Sequence, residues 1–260
     1  VEYLVKLATF NTNSIRARLP IILAWLDQEE PDVLCIQETK VQDKDFPLDD
    51  FESAGYQVVF RGQKSYNGVA TVTKHPVGDS RKDLHERGDQ DARFVGITVL
   101  DLPVLNVYVP QGYAVGTDKF SYKLQWLRDL LEHIKTHHDP EKPLLLAGDF
   151  NVALEPVDVY DPETFRGEVC FHPDEQAILR EYLDWGLMDL FRKHQPEGGH
   201  YTFWDYRIPN GFKRNMGWRI DYVLATAPLA EKCQRVWIDK GPRAAQKPSD
   251  HTFLVAEFNL

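Results

Sequence analysis

The chain has 260 residues, 43% hydrophobic and 27% charged, with a formal net charge of −10. That length can bury a sizeable core, and the composition is ordinary for a soluble globular protein rather than a disordered or fibrous one. No apolar run approaches a membrane span, and the acidic balance argues against a nonspecific nucleic-acid coat while leaving room for an enzyme with a local basic face.

Leu4 to Phe10 reads as a strand ending in Asn11-Thr12-Asn13. The N-terminus enters it with no basic region, so no signal peptide is expected. A helix is predicted over about 18–29, with Leu19, Ile22 and Leu26 at helical spacing. Pro20 fits such a helix only in its first turn. Asp32 to Ile36 is a second strand, ending in Gln37-Glu38-Thr39-Lys40. Strands 56–60 and 69–73 flank Asn67-Gly68, a strong turn signal. Strands 93–100 and 103–109 form a second hairpin around Asp101. A helix over 118–135 carries Phe120, Leu124, Leu127, Leu131 and Ile134, with Thr117 or Asp118 as N-cap. The apolar run Pro143 to Ala147 is a buried strand that delivers Gly148-Asp149-Phe150-Asn151. A helix over 174–184 follows Pro173, and strands are predicted near 200–204, 219–225, 233–238 and 252–259.

Nothing in this order divides the chain, so residues 1–260 are expected to form a single domain. Strand, helix, strand, then acid occurs twice, at 4–38 and at 104–149, which is a pseudo-duplication. The fold class is α/β, with two mixed sheets packed face to face and helices outside. Cys35, Cys170 and Cys233 are an odd count without metal-type spacing, which suits a reducing cytoplasm.

Oxygen-bearing side chains stand at several strand ends: Asn11, Glu38, Asp149 with Asn151, and Asp250 before the last strand. Singly, each reads as readily as a turn, cap or surface residue. Brought together by one sandwich they would form a cleft for a hard cation, Mg²⁺ or Mn²⁺ rather than zinc, beside a phosphate. His133 and His137 are four apart on a helix, but no third ligand is evident, and histidines there favourably meet the helix dipole. No phosphate-binding glycine loop, nucleophile-elbow serine or HExxH is present. Aromatics gather in 200–222 with Arg207, Lys213, Arg214 and Arg219 among them. They read equally as a core edge or as a wall for a sugar or base.

Six segments occur in one order: Ala8-Thr9-Phe10-Asn11-Thr12-Asn13, Ile36-Gln37-Glu38-Thr39-Lys40, Asn106-Val107-Tyr108-Val109-Pro110-Gln111-Gly112, Gly148-Asp149-Phe150-Asn151, Trp218-Arg219-Ile220-Asp221-Tyr222 and Lys247-Pro248-Ser249-Asp250-His251. In these the chain resembles the exonuclease III branch of the AP endonucleases, within the DNase I-like endonuclease/exonuclease/phosphatase superfamily. The resemblance covers essentially the whole chain. It implies a four-layered α/β sandwich and a divalent metal, Mg²⁺ or Mn²⁺, cleaving a phosphodiester. It implies Glu38, Asn11 and Asp250 at the metal, and Asp149, Asn151, Asp221, His251 and Tyr108 in catalysis. Arg16, Tyr66, Arg93, Gln111 and Lys119 fall at DNA contacts, and Arg207 at a wedge into the duplex, with Tyr113 or Ala114 at the other wedge position. Phe203, Trp218 and Ile220 fall at a pocket for an abasic sugar. The implied activity is incision 5′ to abasic sites, 3′-end cleaning and 3′–5′ exonuclease action on duplex DNA; a monomer without membrane attachment is expected. The alternatives are a superfamily phosphoesterase acting on RNA, lipid or inositol phosphate, or an inactive nucleic-acid-binding regulator. The aromatic segment and Val-Pro-Gln-Gly speak against the first, and the intact polar set against the second.

Overall fold

A computed structural model describes residues 3–85 and 87–260. In chain order its principal elements are β1 (Leu4–Asn11), α1 (Ile15–Glu29), β2 (Val33–Gln37), α2 (Leu48–Ser53), β3 (Gln57–Arg61), β4 (Val69–Thr73), β5 (Val77–Arg81), β6 (Phe94–Val99), β7 (Leu102–Tyr108) and α3 (Asp118–His137). There follow β8 (Leu145–Asp149), α4 (Pro162–Phe165), α5 (Pro173–Trp185), β9 (Leu187–Asp189), α6 (Leu190–His194), β10 (Asp221–Thr226), α7 (Ala227–Ala230), β11 (Cys233–Asp239) and β12 (Phe253–Asn259).

The strands form two six-stranded sheets, ordered β11-β12-β1-β2-β4-β3 and β5-β6-β7-β8-β10-β9. The central pair of each sheet, β1–β2 and β7–β8, is parallel, and every other neighbouring pair is antiparallel. Each parallel pair is joined through one long helix, α1 or α3.

Three apolar layers account for the stacking. Leu7, Cys35, Val104, Ala147, Val223 and Leu254 meet between the sheets. Ala8, Phe10, Leu34, Ile36 and Phe253 face outward and are covered by Ile22, Trp25 and Leu26 of α1. On the far side Leu105, Val107 and Leu146 are covered by Leu127, Leu130 and Ile134 of α3 and Ile178, Leu179 and Tyr182 of α5. Alternate residues of one strand serve different layers because successive side chains point to opposite faces. With both faces covered, the central strands read as continuous apolar runs. The result is the four-layered α/β sandwich of the sequence reading.

One polar layer interrupts the inter-sheet core just below the strand tips. Gln37 Nε2 donates to Thr9 Oγ1 (2.9 Å) and to Asn106 Oδ1 (2.8 Å) of the opposite sheet. Asn106 Nδ2 donates back to the Ala70 carbonyl (2.9 Å). Buried amides are tolerated only with partners, so this net favours one register of sheet on sheet.

Several boundaries differ from the sequence reading. Helix α1 starts at Ile15, so Pro20 lies in the second turn rather than the first. The early start is possible because Ser14 N–H and Ile15 N–H donate to the carbonyls of Glu38 and Thr39 (2.8 and 3.1 Å). No strand forms at 200–204. Phe203 makes single bridges to Trp218 and His251, and the 204–217 loop parts the chain before a ladder can grow. The strand expected from 219 starts at Asp221 for the same reason. Strands β5 and β9 were not expected. The first is a polar edge strand, Val-Gly-Asp-Ser-Arg, and the second has only three residues. The hairpin around Asp101 turns on Leu100 and Asp101, both at positive φ (51° and 57°), as a two-residue type I′ turn requires. Among the described residues no helix is long and apolar enough to cross a membrane.

Candidate active site

Strand register gathers the polar tips. Asn11 pairs with Gln37 across β1–β2, and Asp149 lies between Tyr108 of β7 and Asp221 of β10. β12 runs antiparallel to β1 with Leu254 opposite Thr9, so Asp250 and His251 enter over the same end. Asn11 joins the sheets: its Nδ2 donates to Glu38 Oε1 and to Asp149 Oδ2, both at 2.8 Å.

The local backbone is bent to make this possible. Asn13, Glu38, Lys40 and Asn151 all have positive φ, between 44° and 55°. Left-handed conformations of non-glycine residues cost roughly 1–2 kcal/mol each and persist where surrounding structure imposes them. Gly68 packs closely against the bend between Glu38 and Lys40. Its carbonyl accepts from Thr39 N–H (3.1 Å), and a Cβ on it would lie 2.0 Å from Thr39 Oγ1. Gly148 is similarly required, since a Cβ there would lie 2.0 Å from the Val107 carbonyl of the neighbouring strand.

Glu38 Oε2 is held by Lys40 Nζ at 2.7 Å, and the same ammonium reaches Asn13 Oδ1 at 2.6 Å. Burial alone would raise the Glu38 carboxyl. The Lys40 charge and hydrogen bond, the Asn11 hydrogen bond and the His251 charge hold it below the usual carboxylate range.

Asp149 is buried and braced by Asn151, whose N–H donates to Oδ1 (2.8 Å) and whose Nδ2 donates to Oδ2 (3.2 Å). Asn151 Nδ2 also donates to the Val109 carbonyl (3.0 Å), so this amide nitrogen braces Asp149 against the end of β7. Burial pushes Asp149 well above the ordinary carboxylate range, against the pull of His251 and with the Asp221 and Glu38 charges adding to it. His251 Nδ1 lies 2.8 Å from Asp221 Oδ2, and Nε2 lies 3.8 Å from Asp149 Oδ2. Burial would lower the imidazole, but the Asp221 and Asp149 carboxylates more than reverse this and favour imidazolium. Tyr108 is raised well above its ordinary value by burial and by the Glu38 and Asp149 charges, so its phenol stays a donor. The Arg93 guanidinium lies over the Tyr108 ring at 4.7 Å.

The oxygen-rich donors fit a hard divalent cation. Two features qualify the expected ligand set. The Asn11 oxygen accepts from Asn13 N–H (2.9 Å), leaving its nitrogen toward the carboxylates, and Asp250 Oδ1 accepts from Asn13 Nδ2 (2.9 Å). Among the described residues, the trio whose ligand atoms converge within 4.8 Å is Asp149, Asp221 and His251, and Asp221 Oδ1 in it is a buried acceptor without a hydrogen bond. Glu38 offers the anionic oxygen now neutralised by Lys40, so the site tolerates a cation there.

An apolar wall adjoins His251. The Phe203 ring lies 4.9 Å from the imidazole, and the half-buried Phe203 and Trp218 pack on Ile220, Phe171 and Phe165. Arg219 points the other way, alternating with its neighbours, and is fully buried in an ionic cluster. It reaches Asp158 through Nε and Nη2 (2.8 and 3.1 Å) and Asp189 (2.8 Å), and Arg192 Nε donates to the same Asp158 (3.0 Å).

The expected DNA contacts stand around this end, in unequal states. Arg16, Tyr66, Gln111, Lys119 and Arg207 are exposed. Lys119 lies over the ring of Tyr113 at 5.0 Å, and Arg207 is paired with Asp205 of its own loop. Arg93 is half-buried, tied to Asp91 and to the Tyr108 carbonyl. His133 and His137 stack at 4.3 Å, with His137 Nδ1 on the His133 carbonyl, and do not belong to a convergent ligand group among the described residues.

Lys40, Asp158 and Lys123 were not among the candidate residues, and Arg219, one of the cations of the aromatic segment that could have faced a phosphate, is buried on Asp158 and Asp189. Lys123 had a usable signal. It lies three residues after Phe120 and four before Leu127, which puts a cation on the apolar stripe of α3.

The endonuclease/exonuclease/phosphatase family model matches residues 8–251. Exodeoxyribonuclease III of Haemophilus influenzae is 35% identical over 98% of this chain and 100% of its own length. Among solved structures, an AP endonuclease from Archaeoglobus fulgidus superposes with a TM-score of 0.96 at 44% identity, covering 98% of this chain and 100% of that one. A Neisseria 3′ phosphatase bound to a product DNA hairpin gives 0.94 at 36%, with the same coverages. The chain therefore belongs to the endonuclease/exonuclease/phosphatase family and, within it, to the exonuclease III-type AP endonucleases.

Proposed function

We propose that this chain is a divalent-metal-dependent DNA repair nuclease that cuts duplex DNA 5′ to abasic sites, clears blocked 3′ ends and degrades from 3′ ends. The observation that carries the reading is the convergence of Glu38, Asp149 and the Asp221–His251 pair at one end of both sheets, beside the wall of Phe203, Trp218 and Ile220. Similarity to an AP endonuclease and to a DNA-bound 3′ phosphatase supports the substrate class.

Glu38 would hold Mg²⁺ or Mn²⁺, with Asp250 and, after its amide turns, Asn11 beside it. Bound there, the cation supplies charge neutralisation and Lewis acidity at a phosphate oxygen. Lys40 must give up Glu38 and becomes free to face the phosphate. Asp149 orients the attacking water and takes its proton, a role suited to a buried carboxyl with a raised pKa. His251 is fixed by Asp221 through Nδ1, so Nε2–H donates toward the phosphate, and Tyr108 donates from the other side. Asn151 holds Asp149 in line. Arg16, Tyr66, Gln111, Lys119 and Arg207 would track the DNA backbone, with Arg93 positioning Tyr108. One copy carries every residue invoked, so the protein is read as a monomer. The two halves, sharing one inter-sheet core, are read as one domain. Three unpaired, buried cysteines support a cytoplasmic setting.

The test is a labelled duplex with a single abasic site, incubated with Mg²⁺ or Mn²⁺ and with excess EDTA after dialysis. Cleavage leaving a 3′-hydroxyl is expected with metal only, while the circular dichroism spectrum stays the same in EDTA. Metal-independent cutting, or no cutting with either metal, would refute the reading.

Selectivity is read from the wall. An abasic nucleotide costs least to extrude because it has no base to unstack, and a fixed apolar wall leaves no room for a base. Trp218→Ala should lower the ratio of kcat/KM on abasic against intact duplex by roughly 10- to 200-fold. An unchanged ratio in the folded variant would shift specificity to DNA bending by loops such as that of Arg207.

A further inference from the structure

We propose that Lys123 is a positioning residue for this active site: from within α3, its ammonium fixes the backbone after β7 and β8 and, through Asn151, holds Asp149 in place. The inference rests on the reading of Asp149 as the group that serves the attacking water.

Lys123 is fully buried. Its ammonium has three N–H donors, and three oxygens surround it: the Asn151 carbonyl at 2.7 Å, the Gln111 carbonyl at 3.2 Å and Glu175 Oε1 of α5 at 3.1 Å. Helix packing alone would not call for this arrangement. Phe120, Leu127, Leu130 and Ile134 already bury the same stripe, and a buried ion pair is seldom better for stability than apolar residues of equal volume.

The two carbonyls show what the charge does. Asn151 has φ 51°, so its carbonyl turns away from the end of β8 toward α3. That conformation places its N–H and its Nδ2 on the two oxygens of Asp149. Gln111 lies two residues after Val109, whose N–H donates to the Asp149 carbonyl (2.8 Å) and whose own carbonyl accepts from Asn151 Nδ2. One ammonium thus clamps both loops that bracket Asp149, at backbone atoms rather than side chains. Glu175 supplies the counter-charge and accepts from Cys170 N–H (3.1 Å), touching neither Asn151 nor Gln111 by a hydrogen bond of its own.

The experiment uses the full chain with Lys123→Met and Glu175→Gln together, so that no lone charge is left buried, and Glu175→Gln by itself. On the abasic duplex with Mg²⁺, the double variant should lose about 100-fold in kcat, the scale of a small misplacement of a reacting group, with KM little changed. Amide hydrogen exchange should quicken in peptides spanning 109–113 and 149–153 and stay as in the wild type over 174–185. Glu175→Gln retains Lys123 on both carbonyls and should keep wild-type kcat with reduced thermal stability. A folded double variant with wild-type kcat overturns the proposal. So does a loss of kcat in Glu175→Gln equal to that of the double variant, which would make the pair a stability device; this arm carries the test if the double variant does not fold. If the wild type itself does not cut abasic duplex, the functional reading fails, and the exchange comparison alone decides whether Lys123 orders the 149–153 loop.

Discussion

Asp149→Asn is expected to lower kcat on an abasic duplex by about a hundred- to ten-thousand-fold, the range over which a positioned base contributes, with KM nearly unchanged. Asparagine keeps the shape and its oxygen can still accept from the Asn151 N–H, while its Nδ2 faces the Asn11 and Asn151 amide nitrogens that now donate to Oδ2, so the Asn11 amide has to turn. What is lost is the acceptor for a proton that leaves the water only in the transition state. The loss of the buried charge, taken by itself, favours the folded state above the unfolded carboxyl value. The folded carboxyl sits above its unfolded value, so the folded state binds more protons between those two values and stability falls as pH rises through them. Removing the group removes that loss and its repulsion by Asp221 and Glu38, together with its attraction to the His251 charge. Stopped-flow or gel kinetics and urea unfolding at two pH values test both halves. Wild-type kcat with a raised KM would make Asp149 a binding residue, and a strongly destabilised variant would mean that its role is structural.

A site that keeps a carboxyl buried beside two others is one where local rules are broken on purpose, and this governs what could be read from the chain alone. The strand tips were legible because β1, β2, β7 and β8 are covered on both faces and so appear as apolar runs with a polar residue at the end. The doubled strand-helix-strand order was legible for the same reason. What the sequence could not show is what depends on distant partners. Helix α1 begins three residues early because the Glu38 and Thr39 carbonyls cap it. The strand expected at 200–204 dissolves because Phe203 exchanges its backbone bonds with Trp218 alone, and its bridge to His251 is made by Thr202 and Trp204 at one position only. At the site, residue types were readable and their bonding was not. Nothing in Asn13 or Lys40 as letters indicates that the first binds Asp250 while the second neutralises Glu38. The Arg219–Asp158 cluster behind the wall was hidden by alternation, since Arg219 reads as one more cation among aromatics until its face is known.

His251→Ala is expected to lower kcat by about a hundred- to a thousand-fold, the cost of removing one fixed donor from a developing charge. The donor is fixed because Asp221 occupies Nδ1, and it is charged because Asp221 and Asp149 together outweigh the burial that would lower the imidazole. Two consequences follow from that cause. First, Asp221→Asn should move the alkaline limb of the kcat profile to lower pH, because the nearest charge holding the proton on His251 is gone. Second, the pair contributes to folding with a definite sign. A histidine raised above its unfolded value, about 6.5, contributes fully below that pH and loses the contribution as pH rises through the folded value. Wild type should therefore lose stability in alkali faster than His251→Ala does. Because Asp221 is proposed to act only through the imidazole, the Asp221→Asn/His251→Ala double variant should be little slower than His251→Ala. The pH–rate profiles of the two single variants and the double variant decide it. An alkaline limb that stays in place in Asp221→Asn, or rate losses that add in full, would separate the two residues and leave Asp221 free to serve as a ligand, the alternative that its unpaired buried Oδ1 keeps open.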